Sequence, residues 1–176
     1  MKATGVVRRI DDLGRIVLPK ELRRTMRIKE GEQLEIYIDG IDKIVLKKYS
    51  PVNQMTDFIK DFTDSIYSSN QRNIIITDNE QIVSASGDFK EQLVGKKITK
   101  DLEEKLKARQ TQVVEKTNPL YICEDYHAKN SAIIKPINVF GDIMGCVIVE
   151  GKPHITEEEK RLVEFGGLFM SRYLEV

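Results

Sequence analysis

The sequence holds no tryptophan, two cysteines and two histidines among its 176 residues. Two thiols cannot build a disulfide scaffold. Cys123 and Cys146 are expected as free thiols of a reducing compartment, with Cys146 a buried strand residue rather than half of a redox pair. His127 and His154 have no partners at metal-ligand spacing, so no metal ion is expected. No GxSxG, phosphate-binding loop or HExxH pattern occurs, which leaves no catalytic residues and no cofactor to expect. The longest apolar runs, such as Cys146–Val149, fall far short of the roughly 20 residues of a spanning helix. The opening residues, MKATGVVRRID, lack the apolar stretch of a signal peptide. The expectation is a cytoplasmic protein with no membrane partner.

What is present is a folded composition with an uneven charge. Hydrophobic residues make up 40% of the chain, enough for a core. Basic and acidic residues number 28 each, yet residues 1–50 carry twelve basic against eight acidic. Within residues 1–29 the count is nine against three, net +6. A basic end on an acidic body is the pattern of a nucleic-acid-binding module joined to a second domain, although a solvated charged surface has the same composition.

Residues 5–10 (GVVRRI) and 14–18 (GRIVL) read as short β-branched strands around Asp11-Asp12-Leu13. Pro19 opens a short helix, KELRRTMRI, ended by Gly31 in KEGE. Leu34, Ile36 and Ile38 alternate with polar residues as a half-buried strand, and Ile44-Val45-Leu46 returns beside it. A unit of about 50 residues without cysteine or histidine buries too little surface to be stable alone, so this one is expected to fold as a dimer.

Ser50-Pro51 is the expected boundary, giving domains over 1–50 and 51–176. Met55, Phe58, Ile59, Phe62 and Ile66 recur at helical spacing over 53–69. NIIITD and QIVSAS follow as a strand pair, then a helix with Leu102 and Leu106. PLYICE, SAIIKPI and DIMGCVIVE read as three further strands. Thr156 and Glu159 form a capping box at the start of a closing helix whose Leu162, Phe165, Phe169 and Tyr173 make one stripe. Gly166-Gly167 in that helix permits a close approach or a kink. The order predicts an α+β domain on a mostly antiparallel sheet.

The run TGVVRRIDDLGRIVLPKELRRTMRIKEGEQLEIYID, closed by IVLKKY, resembles the DNA-binding domain of the AbrB transition-state regulators. The residues beyond it resemble the sporulation branch of that family, in which such a domain precedes a GAF-like domain. The resemblance implies an intertwined swapped-hairpin β-barrel dimer over 1–50. It also implies that Arg8, Arg15, Arg23 and Arg24 contact double-stranded DNA, with adjacent Arg9 an alternative to Arg8. Guanidinium suits that task, being always charged and offering a planar fork to phosphates and guanine edges. The function implied is a regulator, activator or repressor, of late sporulation genes in the developing spore compartment.

For the GAF-like part the resemblance implies either a small-molecule site or an assembly module, and no motif names a ligand. The aromatic stripes on its two flanking helices exceed what one sheet face covers. The expectation is therefore a tetramer built through those helices, with Phe62 facing outward. Two rivals attach to the same residues: an antitoxin, which shares the barrel fold, and a small-molecule sensor with no direct role at DNA.

Overall fold

Pro19 caps a helix of one and a half turns, Lys20–Thr25 (α1). Its end is a Schellman closure: the Ile28 amide donates to the Arg23 carbonyl at 2.7 Å and the Arg27 amide to the Arg24 carbonyl at 3.2 Å. The left-handed residue of that closure is Arg27, at φ +52, and not Gly31, which turns the chain four residues later. Leu34–Ile38 (β1) then pairs antiparallel with Ile44–Lys48 (β2), Ile36 opposite Leu46. The computed structural model describes residues 5–89 and 92–175, so residues 1–4 of the expected first domain lie outside it. It divides into two compact units between Tyr49 and Ser50.

The two strands expected at 5–10 and 14–18 do not form in the first unit. That segment instead runs around a turn closed by Asp11 and Arg15, whose backbones bond at 3.1 Å. A strand is held by its ladder and by a covered face, and this segment has no covered face within the chain. Val7, Ile10, Leu13 and Val17 are all more than 60% exposed. Among described residues 5–49 only Pro19 is buried.

The second unit is a sheet with both faces covered. Pro51–Gln54 (α2) and Thr56–Asn70 (α3) lead into Ile74–Thr77 (β3) and Ile82–Ser86 (β4). Lys100–Lys107 (α4), Gln112–Val114 (β5), Tyr121–Cys123 (β6) and Tyr126–His127 (β7) follow. Ala132–Val139 (β8), Asp142–Glu150 (β9) and the helix Glu157–Leu174 (α5) complete it. The five-stranded sheet has the order β4-β3-β9-β8-β5, every pairing antiparallel. PLYICE is not one of its strands: it pairs as β6 with β7 in a separate ribbon, and the fifth strand is the three-residue β5.

Burial on both faces explains the continuous apolar runs, where side chains alternate between two cores. Ile75, Ile134, Cys146 and Ile148 face a core with Leu102, Leu106, Leu120 and Ile122. Ile74, Ile76, Val147 and Val149 face the other, under Ile59, Val163 and Met170 of α3 and α5. Thr156 caps α5 and Glu159 completes the capping box, as the sequence predicts. Gly166 and Gly167 are buried, and the first lies against Val147 of the sheet and Phe62 of α3, so their role is close approach. Both cysteines are free and buried.

Helices α3 and α5 lie side by side, joined by a ladder of rings. Phe58 stacks on Tyr173 at 4.5 Å between centroids and Phe62 on Phe169 at 5.3 Å. Phe62 therefore does not face outward: this stacking, and contact with Gly166, turn it inward. The residues that do face out are Phe165, 57% exposed, and Leu168, 60%.

Candidate nucleic-acid interface

The sequence DDLG dictates the first site element. An aspartate side chain can accept bonds from amides two and four residues on, and a glycine can take the left-handed backbone that such a turn needs. Here Asp11 Oδ1 accepts from the Leu13 amide at 3.1 Å and the Arg15 amide at 2.8 Å. Gly14 sits at φ +74 and its amide donates to the Asp11 carbonyl. Arg15 leaves this turn with its Nε donating to Asp11 Oδ2 at 2.8 Å and 69% of its side chain exposed. The Asp11 carboxyl lies below its ordinary 3.8, mainly through the Arg15 backbone amide and then the Arg15 side chain.

Arg8 lies on the other arm of the turn, exposed, with Nη1 3.4 Å from the Val7 carbonyl. Arg23 and Arg24 are both exposed in the last turn of α1, where cations also complement the carbonyl end of the helix. Consecutive helical residues diverge by about 100°, so that pair spreads over two directions. Of the four expected residues, Arg15 leaves the turn, Arg23 and Arg24 share the helix, and Arg8 stands on the arm before the turn.

The closing LKKY motif has a different task. Lys47 Nζ lies 4.8 Å over the Tyr37 ring. Lys48 Nζ bonds the Arg27 carbonyl at 3.1 Å and Glu32 at 3.3 Å, tying β2 to the segment that follows α1. Sequence reasoning missed both Lys48 and Asp11. The Asp-x-x-Gly spacing was the available signal for Asp11; nothing local marked Lys48.

An exposed arginine set on a small basic unit, followed by a separate antiparallel α+β unit, fits one class of protein, a DNA-binding transcription regulator. The comparisons say the same. The family described as "Stage V sporulation protein T C-terminal, transcription factor" matches residues 54–175, and "Antidote-toxin recognition MazE, bacterial antitoxin" matches residues 7–54. Stage V sporulation protein T of Bacillus subtilis (strain 168) is 38% identical over 177 residues, covering 99% of each chain. The transition state regulatory protein AbrB of the same organism is 61% identical over 51 residues, 29% of this chain and 52% of its own. The chain belongs to the stage V sporulation protein T family.

A solved type II free methionine-R-sulfoxide reductase from Thermoplasma acidophilum covers 70% of this chain and 94% of its own, with a TM-score of 0.53 at 7% identity. That likeness is one of fold alone. The antitoxin reading rests on the first unit only, whereas the transcription-factor family spans most of the chain.

Proposed function

We propose that two chains interlace residues 1–50 into one DNA-binding barrel, and that Arg8, Arg15, Arg23 and Arg24 of each contact double-stranded DNA. The observation that carries the dimer is the missing core of the first unit. With Pro19 its one buried described residue and Ile36, Ile38 and Ile44 each more than two-thirds exposed, it lacks the core that a stable monomer needs. A second copy pairing strands over 5–10 and 14–18 would cover those side chains. The second unit joins such dimers into a tetramer, which presents several arginine sets to one duplex and raises the effective concentration of the second contact. The regulator acts on late sporulation genes in the cytoplasm of the developing spore.

The test is a titration of duplex DNA by the full-length protein over a range of salt. Each phosphate neutralised contributes about −0.9 to the slope of log K against log salt, so a steep negative slope is expected. Arg23→Ala with Arg24→Ala should flatten it and weaken binding. A slope near zero, or an unchanged double variant, overturns the assignment.

A further inference from the structure

We infer that Asp11 is a positioning residue for DNA binding: it clasps Arg15 so that the arginine meets DNA with its two terminal nitrogens. The inference rests on the reading of Arg15 as a DNA contact. Five bonds converge on residues 11 and 15, one of them from the Gly14 amide to the Asp11 carbonyl. The Asp11 carboxylate accepts from the Arg15 amide at 2.8 Å and from Arg15 Nε at 2.8 Å. It also accepts from the Leu13 amide at 3.1 Å, and the Asp11 amide donates to the Arg15 carbonyl at 3.1 Å. One carboxylate therefore sets both the backbone from which Arg15 springs and the orientation of its guanidinium plane.

The chemistry of the clasp is selective. A guanidinium carries five N–H donors, one on Nε and four on the terminal nitrogens. Binding Nε to Asp11 uses the first and blocks the side-on approach that pairs Nε with one terminal nitrogen. The end-on fork of Nη1 and Nη2 stays open, on a side chain 69% exposed. A freely rotating arginine would lose its rotational freedom on each contact, and holding it beforehand removes this cost from binding.

The sign of the effect separates positioning from plain electrostatics. Removing a carboxylate beside a DNA-binding arginine strengthens attraction to the phosphates if charge alone matters. Loss of the clasp has the opposite consequence. Asp12 supplies the control, since it carries the same charge in the same exposed turn and makes none of these contacts. Asp11→Asn keeps an oxygen for the two backbone amides but sets an NH2 group against Nε, so the turn persists while the clasp opens.

The experiment measures duplex affinity of the full-length protein at one fixed salt for Asp11→Asn, Asp12→Asn, Arg15→Ala and the Asp11→Asn Arg15→Ala double variant. Circular dichroism is checked first. Arg15→Ala should weaken binding roughly tenfold or more. Asp11→Asn should weaken it about threefold to tenfold, whereas Asp12→Asn should bind as well as the unaltered protein or tighter. In the Arg15→Ala background Asp11→Asn should cause no further loss. If Asp11→Asn matches Asp12→Asn, or weakens the Arg15→Ala protein by the same factor as the unaltered one, the positioning role is overturned. An Arg15→Ala protein of unchanged affinity instead removes the DNA-contact reading, and the inference falls with it.

Discussion

Arg72 Nε and Glu159 Oε1 meet at 2.5 Å, joining the residue that leads into β3 to the first turn of α5. Glu159 is fully buried yet ionised. Burial pushes its carboxyl up, but bonds from the Thr156 side chain, from Arg72 and from the Thr156 amide outweigh it and hold the value at about 2. In the unfolded chain the same group titrates near its ordinary 4.5. A depressed carboxyl contributes stability that is complete above the unfolded value and lost as pH falls through the folded one. Glu159→Gln should therefore destabilise the second unit by roughly 3 kcal/mol at neutral pH, with the difference from the unaltered protein shrinking between pH 4.5 and about 2. Urea unfolding followed across that window reads both.

Glu150 behaves in the opposite sense. It is 3% exposed, its Oε1 accepts from the Tyr126 hydroxyl at 2.5 Å, and its Oε2 has no hydrogen-bond partner among the described residues. Burial raises its carboxyl above the ordinary 4.5, outweighing the lowering by Tyr126 and then by Asn73 and Lys129. The folded state then holds the proton longer than the unfolded one, so stability falls as pH rises from about 4.5 through the folded value. Glu150→Gln keeps an oxygen for Tyr126 and carries no charge to bury. It should remove that slope and raise the neutral-pH melting temperature. A variant less stable than its parent at neutral pH would show that the charged form is the one the fold prefers.

Gly145 and Gly141 offer a paired test of backbone against space. Both lie at positive φ, +149 and +91. A Cβ on Gly145 would stand 1.9 Å from the Thr77 carbonyl oxygen across the β3–β9 ladder, whereas one on Gly141 meets nothing within 4 Å. Gly145→Ala should cost about 3 kcal/mol or prevent folding, since a backbone oxygen cannot swing aside. Gly141→Ala should cost about 1 kcal/mol, the conformational penalty alone. Thermal melts of the two variants side by side decide it; equal losses would place strain, not collision, at Gly145.

The helices and most of the sheet were legible because their signals are local. The Thr156–Glu159 spacing, the Phe58–Phe62–Ile66 stripe and the NIIITD and QIVSAS runs each specify an element from within a few residues. Val113, on the three-residue strand β5, owes that state to its partner Ile133 some twenty positions away, which no local pattern announces. PLYICE has strand chemistry, but its partner is Tyr126-His127 and not the main sheet, because propensity says nothing about pairing. The strands expected at 5–10 and 14–18 have the same chemistry with no ladder to join in the chain. At the candidate site the arginines were visible as residue types, while the bond that orients Arg15 depends on the turn geometry around Asp11.

Leu168 is where the proposed tetramer is most open to disproof. The ring ladder between α3 and α5 satisfies Phe58, Phe62 and Phe169 within one chain. What remains outside is a strip one turn apart on α5, Phe165 and Leu168, more than half exposed, with Tyr173 46% exposed further along. Val163, Gly166, Gly167 and Met170 occupy the opposite, buried side of the helix, so a charge at 168 points away from the core. Leu168→Asp should leave the melting temperature of the second unit nearly unchanged, as surface substitutions usually shift stability by no more than about 0.5 kcal/mol. In a twofold contact the same aspartate appears on both partners, so each interface gains two buried like charges and should dissociate. Light scattering on the full-length protein at micromolar concentration should then fall from a tetramer to a dimer. Phe62→Asp, placed against Gly166 and Phe169, should unfold the unit instead. A full-length chain that is dimeric before any substitution would end the proposal. A Leu168→Asp protein that remains tetrameric would move the contact off this face of α5.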